Sequence, residues 1–154
     1  MNKRPLPEIA DAFEASVKDV LEPSVIQETR KLILAQDSMP DNSGSTLNWK
    51  GSVTGYPLVL EIKIKMDTYK FKAYGGGLGS IGSLSISGPY TFKDQAALDD
   101  LIKNTHSIQY NFGPTFSNIN FFSSNSRPLA SFVGDATGAL AAIGGGKGSW
   151  KAVS

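Results

Sequence analysis

The chain has 154 residues, 15 Lys and Arg against 14 Asp and Glu, a formal net charge of +1 and 40% hydrophobic residues. That is about one domain's length, able to bury a core unaided. The near-balanced charge excludes a disordered polyelectrolyte and a generally basic nucleic-acid binder, so no nucleic-acid partner is expected.

With no cysteine and one histidine, His106, disulfides, thiolate chemistry and multi-histidine metal centres are excluded unless another chain supplies ligands. No metal and no cofactor are therefore expected. No apolar run approaches the roughly 20 residues of a membrane-crossing helix. Met1-Asn2-Lys3-Arg4-Pro5 is basic, but no apolar stretch follows it. No secretory signal is therefore expected within these residues. The expected localisation is cytoplasmic or export by a non-classical route, or secretion if a signal has been removed.

Residues 1–40 read as an N-terminal helical extension. Glu8 to Gln36 holds no glycine, and Ile9, Phe13, Val17, Val20 and Leu21 recur at helical spacing. Pro23 interrupts the pattern. Ser24 with Gln27 three residues on forms a capping box for a second helix, which turns Val25, Leu32 and Ile33 to one side. Helices this short need a partner surface. The expected partner is the rest of the chain or a second copy, giving a homo-oligomer through the helices. The alternative, a membrane-surface anchor, fits less well, because the polar face is net acidic and interfacial helices are basic. Ser38 to Ser45 is a polar linker rich in turn formers.

Residues 41–154 read as a β domain. Leu58, Leu60, Ile62, Ile64 and Met66 alternate with Val59, Glu61, Lys63 and Lys65. Asp67-Thr68 turns the chain, and Tyr69, Phe71 and Ala73 then alternate with Lys70 and Lys72. This predicts a hairpin with one apolar and one lysine-rich face. A strand through Trp49 and Val53 precedes it, and another through Ile81, Leu84 and Ile86 follows. A helix spans Asp94–Lys103, with Leu98, Leu101 and Ile102 on one face and Asn104 as C-cap. Four more strands fall near 105–112, 115–122, 129–133 and 139–151.

Eight strands with one helix between two sets of four predict a mainly β, closed antiparallel barrel, since closure removes exposed edges. Phe71, Tyr110, Phe116 and Phe122 are expected to fill it. Two glycine clusters, Gly75-Gly76-Gly77-Leu78-Gly79-Ser80 and Gly144-Gly145-Gly146-Lys147-Gly148-Ser149, suggest a duplicated four-stranded unit with bends at its corners.

Several motifs fail as catalytic signals. Gly77-Leu78-Gly79-Ser80-Ile81-Gly82 has the letters of a dinucleotide loop, but a strand, not a helix, follows it. The second cluster lacks the Ser or Thr after Lys147 that a phosphate loop needs. His106 alternates with Ile108, Tyr110 and Phe112, which puts it on an apolar face as a structural histidine. Asp99, Asp100 and Glu61 read as surface charge. No catalytic residues and no enzyme activity are expected. Lys63, Lys65, Lys70 and Lys72 remain. Alternation places all of them on one polar hairpin face, either as a solvated surface that discourages aggregation or as a site for an anion or an acidic lipid headgroup.

The strings Tyr74-Gly75-Gly76-Gly77-Leu78, Tyr110-Asn111, Gly113-Pro114, Asn118-Ile119-Asn120-Phe121-Phe122 and Ile143-Gly144-Gly145-Gly146-Lys147-Gly148-Ser149-Trp150 also carry a family likeness. From about Leu47 to Trp150 the chain resembles the virulence-associated protein (Vap) family of Rhodococcus. The resemblance implies a compact barrel of two Greek-key halves with one short helix. It also implies a secreted protein without a catalytic site, associated with bacterial survival inside host phagocytes, an action on endolysosomal membranes being proposed for one member. Ahead of Leu47 this chain has two helices where those proteins have a signal peptide and a polar segment.

The expectation is a non-enzymatic barrel that binds an acidic membrane surface, through Lys63, Lys65, Lys70 and Lys72, or a protein partner, in a bacterial interaction with a host. The alternative is a small-molecule or lipid carrier with its ligand in the barrel mouth.

Overall fold

The structure, a computed structural model, describes residues 5–37, 45–79 and 81–153. Helices α1 (Leu6–Val17) and α2 (Pro23–Leu34) come first, then a 3-10 turn at Ala35–Asp37. Strands β1 (Ser45–Gly55), β2 (Leu60–Met66), β3 (Tyr69–Gly79) and β4 (Gly82–Phe92) follow, then helix α3 (Gln95–Asn104). Strands β5 (Ser107–Phe112), β6 (Phe116–Phe122), β7 (Pro128–Gly138) and β8 (Ala142–Ala152) complete the chain. Most of the expected linker, 38–44, lies outside the described residues.

The strands close into an antiparallel barrel in the order β1-β2-β3-β8-β5-β6-β7-β4. Each half is a Greek key, with its fourth strand returning beside its first. The β3–β8 and β4–β7 pairs join the halves. These are the barrel and topology that alternation and family likeness imply.

The glycine clusters have a different origin from the one expected. They lie on the third strand of one half and the fourth strand of the other, so they are not equivalent positions of a repeat. They pair with each other instead: Gly75 faces Gly146, Gly76 faces Gly145 and Gly77 faces Gly144 across the β3–β8 seam. Tyr110 explains two of them. A Cβ on Gly75 would lie 2.8 Å from the Tyr110 ring, and one on Gly144 would lie 2.8 Å from its hydroxyl. The bare backbone seats the ring, and the hydroxyl donates to the Gly76 carbonyl at 3.2 Å. Burial pushes the Tyr110 phenol above its ordinary pKa.

Inside the barrel, aromatic rings interlock. Phe132 touches Trp49 (5.3 Å, stacked), Tyr90 (4.8 Å) and Phe121 (4.6 Å), while Phe71 packs edge-on against Phe121 at 5.2 Å and beside Trp150 at 5.1 Å. Leu98 and Leu101 of α3 join this cluster and cover one end of the barrel. Asp94 starts α3 by accepting from the Ala97 amide at 2.9 Å. Asn104 is not its C-cap. It is the last helical residue, and Thr105 follows as cap.

Phe71 and Tyr110 sit in this core as expected, whereas Phe116 and Phe122 do not. They point outward, where α1 and α2 cover them. Leu6, Ile9, Phe13, Val17, Ile26 and Ile33 form the other side of that contact, so the helical stripes pack on the chain's own barrel. Val20 falls beyond α1 and is 78% exposed. The second helix starts at Pro23, with no side-chain cap, and Ser24 lies inside it. Proline at a first helical position has no amide to leave unsatisfied, so the helix needs no capping box. Leu58 and Ile81, expected in strands, lie in the β1–β2 and β3–β4 turns and are 94% and 69% exposed. Among the described residues no helix is long and apolar enough to cross a membrane.

Candidate functional site

Period-two alternation sends Ile62, Ile64, Phe71 and Ala73 inward, and with them it fixes Lys63, Lys65, Lys70 and Lys72 on the outside of β2 and β3. The structure brings all four together. Lys65 lies directly opposite Lys70, and Lys63 opposite Lys72. The barrel then extends the patch beyond the hairpin. Lys50 of β1 faces Lys65, and Lys151 of β8 faces Lys70. One row of four lysines thus crosses four neighbouring strands. Lys147 of β8, opposite Tyr74, brings the face to seven lysines.

Sequence reasoning missed Lys50, Lys147 and Lys151. Their outward parity was readable from the inward Trp49 and Trp150. That β8 lies beside β3 was not, because the two strands are far apart in the chain.

The lysines wall an open groove of about 1150 Å³ whose floor includes Gly51, Ile64, Phe71 and Gly148. Among the described residues no Asp or Glu lines it. Beside it, the Glu61 carboxylate lies 3.7 Å from the Lys63 ammonium. Tyr74 acts on Lys72: the neighbouring phenol raises the lysine above its ordinary pKa, with a smaller contribution from Glu61. The Lys72 ammonium lies 5.3 Å from the Tyr74 ring centre.

His106 also opens into this groove and is exposed. It is not the buried structural histidine that its spacing suggests. It stands one residue before β5 begins, and the β8 residue bonded to its carbonyl, Gly148, has no side chain to cover it. Asp99 is exposed as expected, but Asp100 is not ordinary surface charge. Both its oxygens accept from Arg127, at 2.8 and 2.9 Å, which ties α3 to the segment before β7. Among the described residues no group of three His, Asp or Glu side chains converges as metal ligands. β4 follows the Gly77–Gly82 motif, and Lys147 sits in mid-strand, so neither glycine cluster opens a helix.

The profile of the family described as Rhodococcus equi virulence-associated protein matches residues 2–151, which takes in the N-terminal helices as well as the barrel. The chain belongs to this family. Two solved members share its fold. VapD from the intracellular pathogen Rhodococcus equi aligns with a TM-score of 0.64 at 29% identity, covering 71% of this chain and 99% of its own. VapB from the same organism aligns with a TM-score of 0.60, also at 29% identity, covering 71% of this chain and 98% of its own. No curated protein matches the chain in sequence. The lysine groove lies on β1, β2, β3 and β8 of this Vap barrel, on the side opposite the strands that carry the helices.

Proposed function

We infer that this Vap-family protein acts by binding rather than catalysis, and that its lysine face attaches it to an acidic membrane surface in the interaction of a bacterium with its host. The observation that carries the reading is the convergence of seven lysines from four adjacent strands on a groove lined by no carboxylate. A lysine near an anionic bilayer contributes about 1 kcal/mol of attraction, so a patch of this size is sufficient for stable attachment. The family likeness supports a setting of host contact, and both solved relatives come from an intracellular pathogen. The carrier reading gains no comparable support. Its ligand would need interior space, and interlocked rings from Trp49 to Trp150 occupy the barrel.

Co-sedimentation with phosphatidylcholine vesicles, with and without phosphatidylserine, tests the reading. The protein is expected to bind only the acidic vesicles, and to release as salt shortens the Debye length to about 8 Å. Changing Lys63, Lys65, Lys70 and Lys72 together to Gln should weaken binding at least a hundredfold without lowering the thermal midpoint, because these side chains are exposed and their like-charge pairs are relieved. Failure of the unaltered protein to bind acidic vesicles at low salt overturns the membrane reading.

A further inference from the structure

We propose that the groove is a site for a small, multiply phosphorylated ring such as an inositol polyphosphate, carried on a lipid or free in solution. The proposal rests on the anion-binding reading above and names its ligand class.

The register carries it. Lys50, Lys65, Lys70 and Lys151 stand directly opposite one another across four strands. Neighbouring strands lie about 4.8 Å apart, so the row spans about 14 Å. Like charges directly opposite one another destabilise a sheet. Diffuse attraction to a membrane does not require that arrangement, since the same lysines scattered over the surface would supply it without in-register repulsion. A compact cluster of negative charge does require it. Several ammonium groups must then reach one ligand at once, and their mutual repulsion falls when it binds.

The second row suits the same ligand. Ser52, Lys63, Lys72 and Ser149 face one another about 6.7 Å further along the strands. Two more cations and two exposed hydroxyl donors are thereby set beside the first row. Lysine binds phosphate as a point charge on a flexible stem, so the walls can adjust to phosphates spaced around a ring. The groove's volume of about 1150 Å³ is somewhat above the usual range of small-molecule sites, large enough for such a headgroup. At its edge His106 and Lys147 add two further nitrogen groups.

The test measures binding of the full chain to three probes: free inositol hexakisphosphate by calorimetry, phosphatidylcholine vesicles containing phosphatidylinositol 4,5-bisphosphate, and phosphatidylcholine vesicles containing phosphatidylserine at equal total charge. The expected result is binding of the hexakisphosphate, and at least tenfold tighter binding to bisphosphate than to serine vesicles. Lys50→Gln with Lys151→Gln, which removes the two ends of the first row, should cost at least tenfold. Lys63→Gln with Lys147→Gln, an equal loss of charge off that row, should cost less than half as many decades. Thermal unfolding of both variants verifies that the barrel is intact.

Equal binding to the two charge-matched vesicles, with none to the hexakisphosphate, overturns the proposal and leaves the membrane reading standing. Binding of the hexakisphosphate without either vesicle supports the proposal with a soluble ligand and removes the membrane. No binding to any probe overturns both. Equal losses in the two double variants overturn the role of the row.

Discussion

Asp100 sits on α3 with both oxygens held by Arg127, and one of them also accepts the Asn104 amide at 2.6 Å. The guanidinium is the main reason that its pKa falls from 3.8 to about 2, with Asn104 second. The sign follows from linkage: the depressed carboxyl adds stability in full above its unfolded pKa and loses it as pH falls through about 2. Both side chains are partly open to solvent, so the pair contributes about 1 kcal/mol. Asp100→Asn is expected to lower the unfolding free energy by that amount at pH 7. The difference should shrink below pH 4 and vanish only once pH lies well below 2, as read from urea unfolding across pH. Equal stability of the two proteins at pH 7 would refute the clamp. At this scale strand parity made the outward placement of Lys63, Lys65, Lys70 and Lys72 legible. The sequence misled at His106 and Asp100, whose surroundings come from Gly148 and Arg127, partners that no local pattern names.

The helical pair α1–α2 rests on an unusual surface. Around the apolar contacts of Phe116, Phe122 and Val133, the barrel presents a buried polar layer. Asn118 donates to Ser131 at 3.1 Å and accepts from Asn111 at 2.9 Å, and Asn120 donates to Gln109 at 2.9 Å. From this layer Gln109 donates to the Ser16 hydroxyl of α1 at 3.1 Å. The amides bond mainly to one another within the barrel, and the apolar stripe supplies the hydrophobic part of the docking. Phe13 is fully buried in it. Phe13→Ala should weaken docking by about 3 kcal/mol. The effect should appear as lost amide-exchange protection in α1 and α2, with protection in the barrel strands unchanged. Loss of strand protection as well would mean that the helices and barrel are one cooperative unit. Period 3.6 made the helices readable. The outer face of β6 was misassigned, because Phe116 and Phe122, which share parity with Asn118 and Asn120, were expected inside the barrel. That the helices cover this face was not readable either, because strand patterns do not show what lies above a face.

Closure of the barrel was legible as a count of strands with no edge to spare, and the Vap likeness supplied its Greek-key halves. Ring order was the missing step, since it alone places β8 beside β3 and turns a four-lysine hairpin into a seven-lysine face. The same order sets the helices on the opposite side of the molecule, over β5 and β7. Between residues 5 and 36 stand six Asp or Glu and three Lys or Arg, a balance of −3. A protein whose net charge is +1 is thus an electric dipole, basic on one flank and acidic on the other. Such a particle feels torque before it feels net pull. Near a negatively charged plane it should rotate until the lysines face the plane and the helices face the bulk, before any contact forms. The same polarity has a chromatographic signature. At neutral pH and low ionic strength the protein should be retarded on cation and anion exchangers alike, each resin holding a different side, and Lys→Gln changes in the groove should abolish retention on the first while strengthening it on the second.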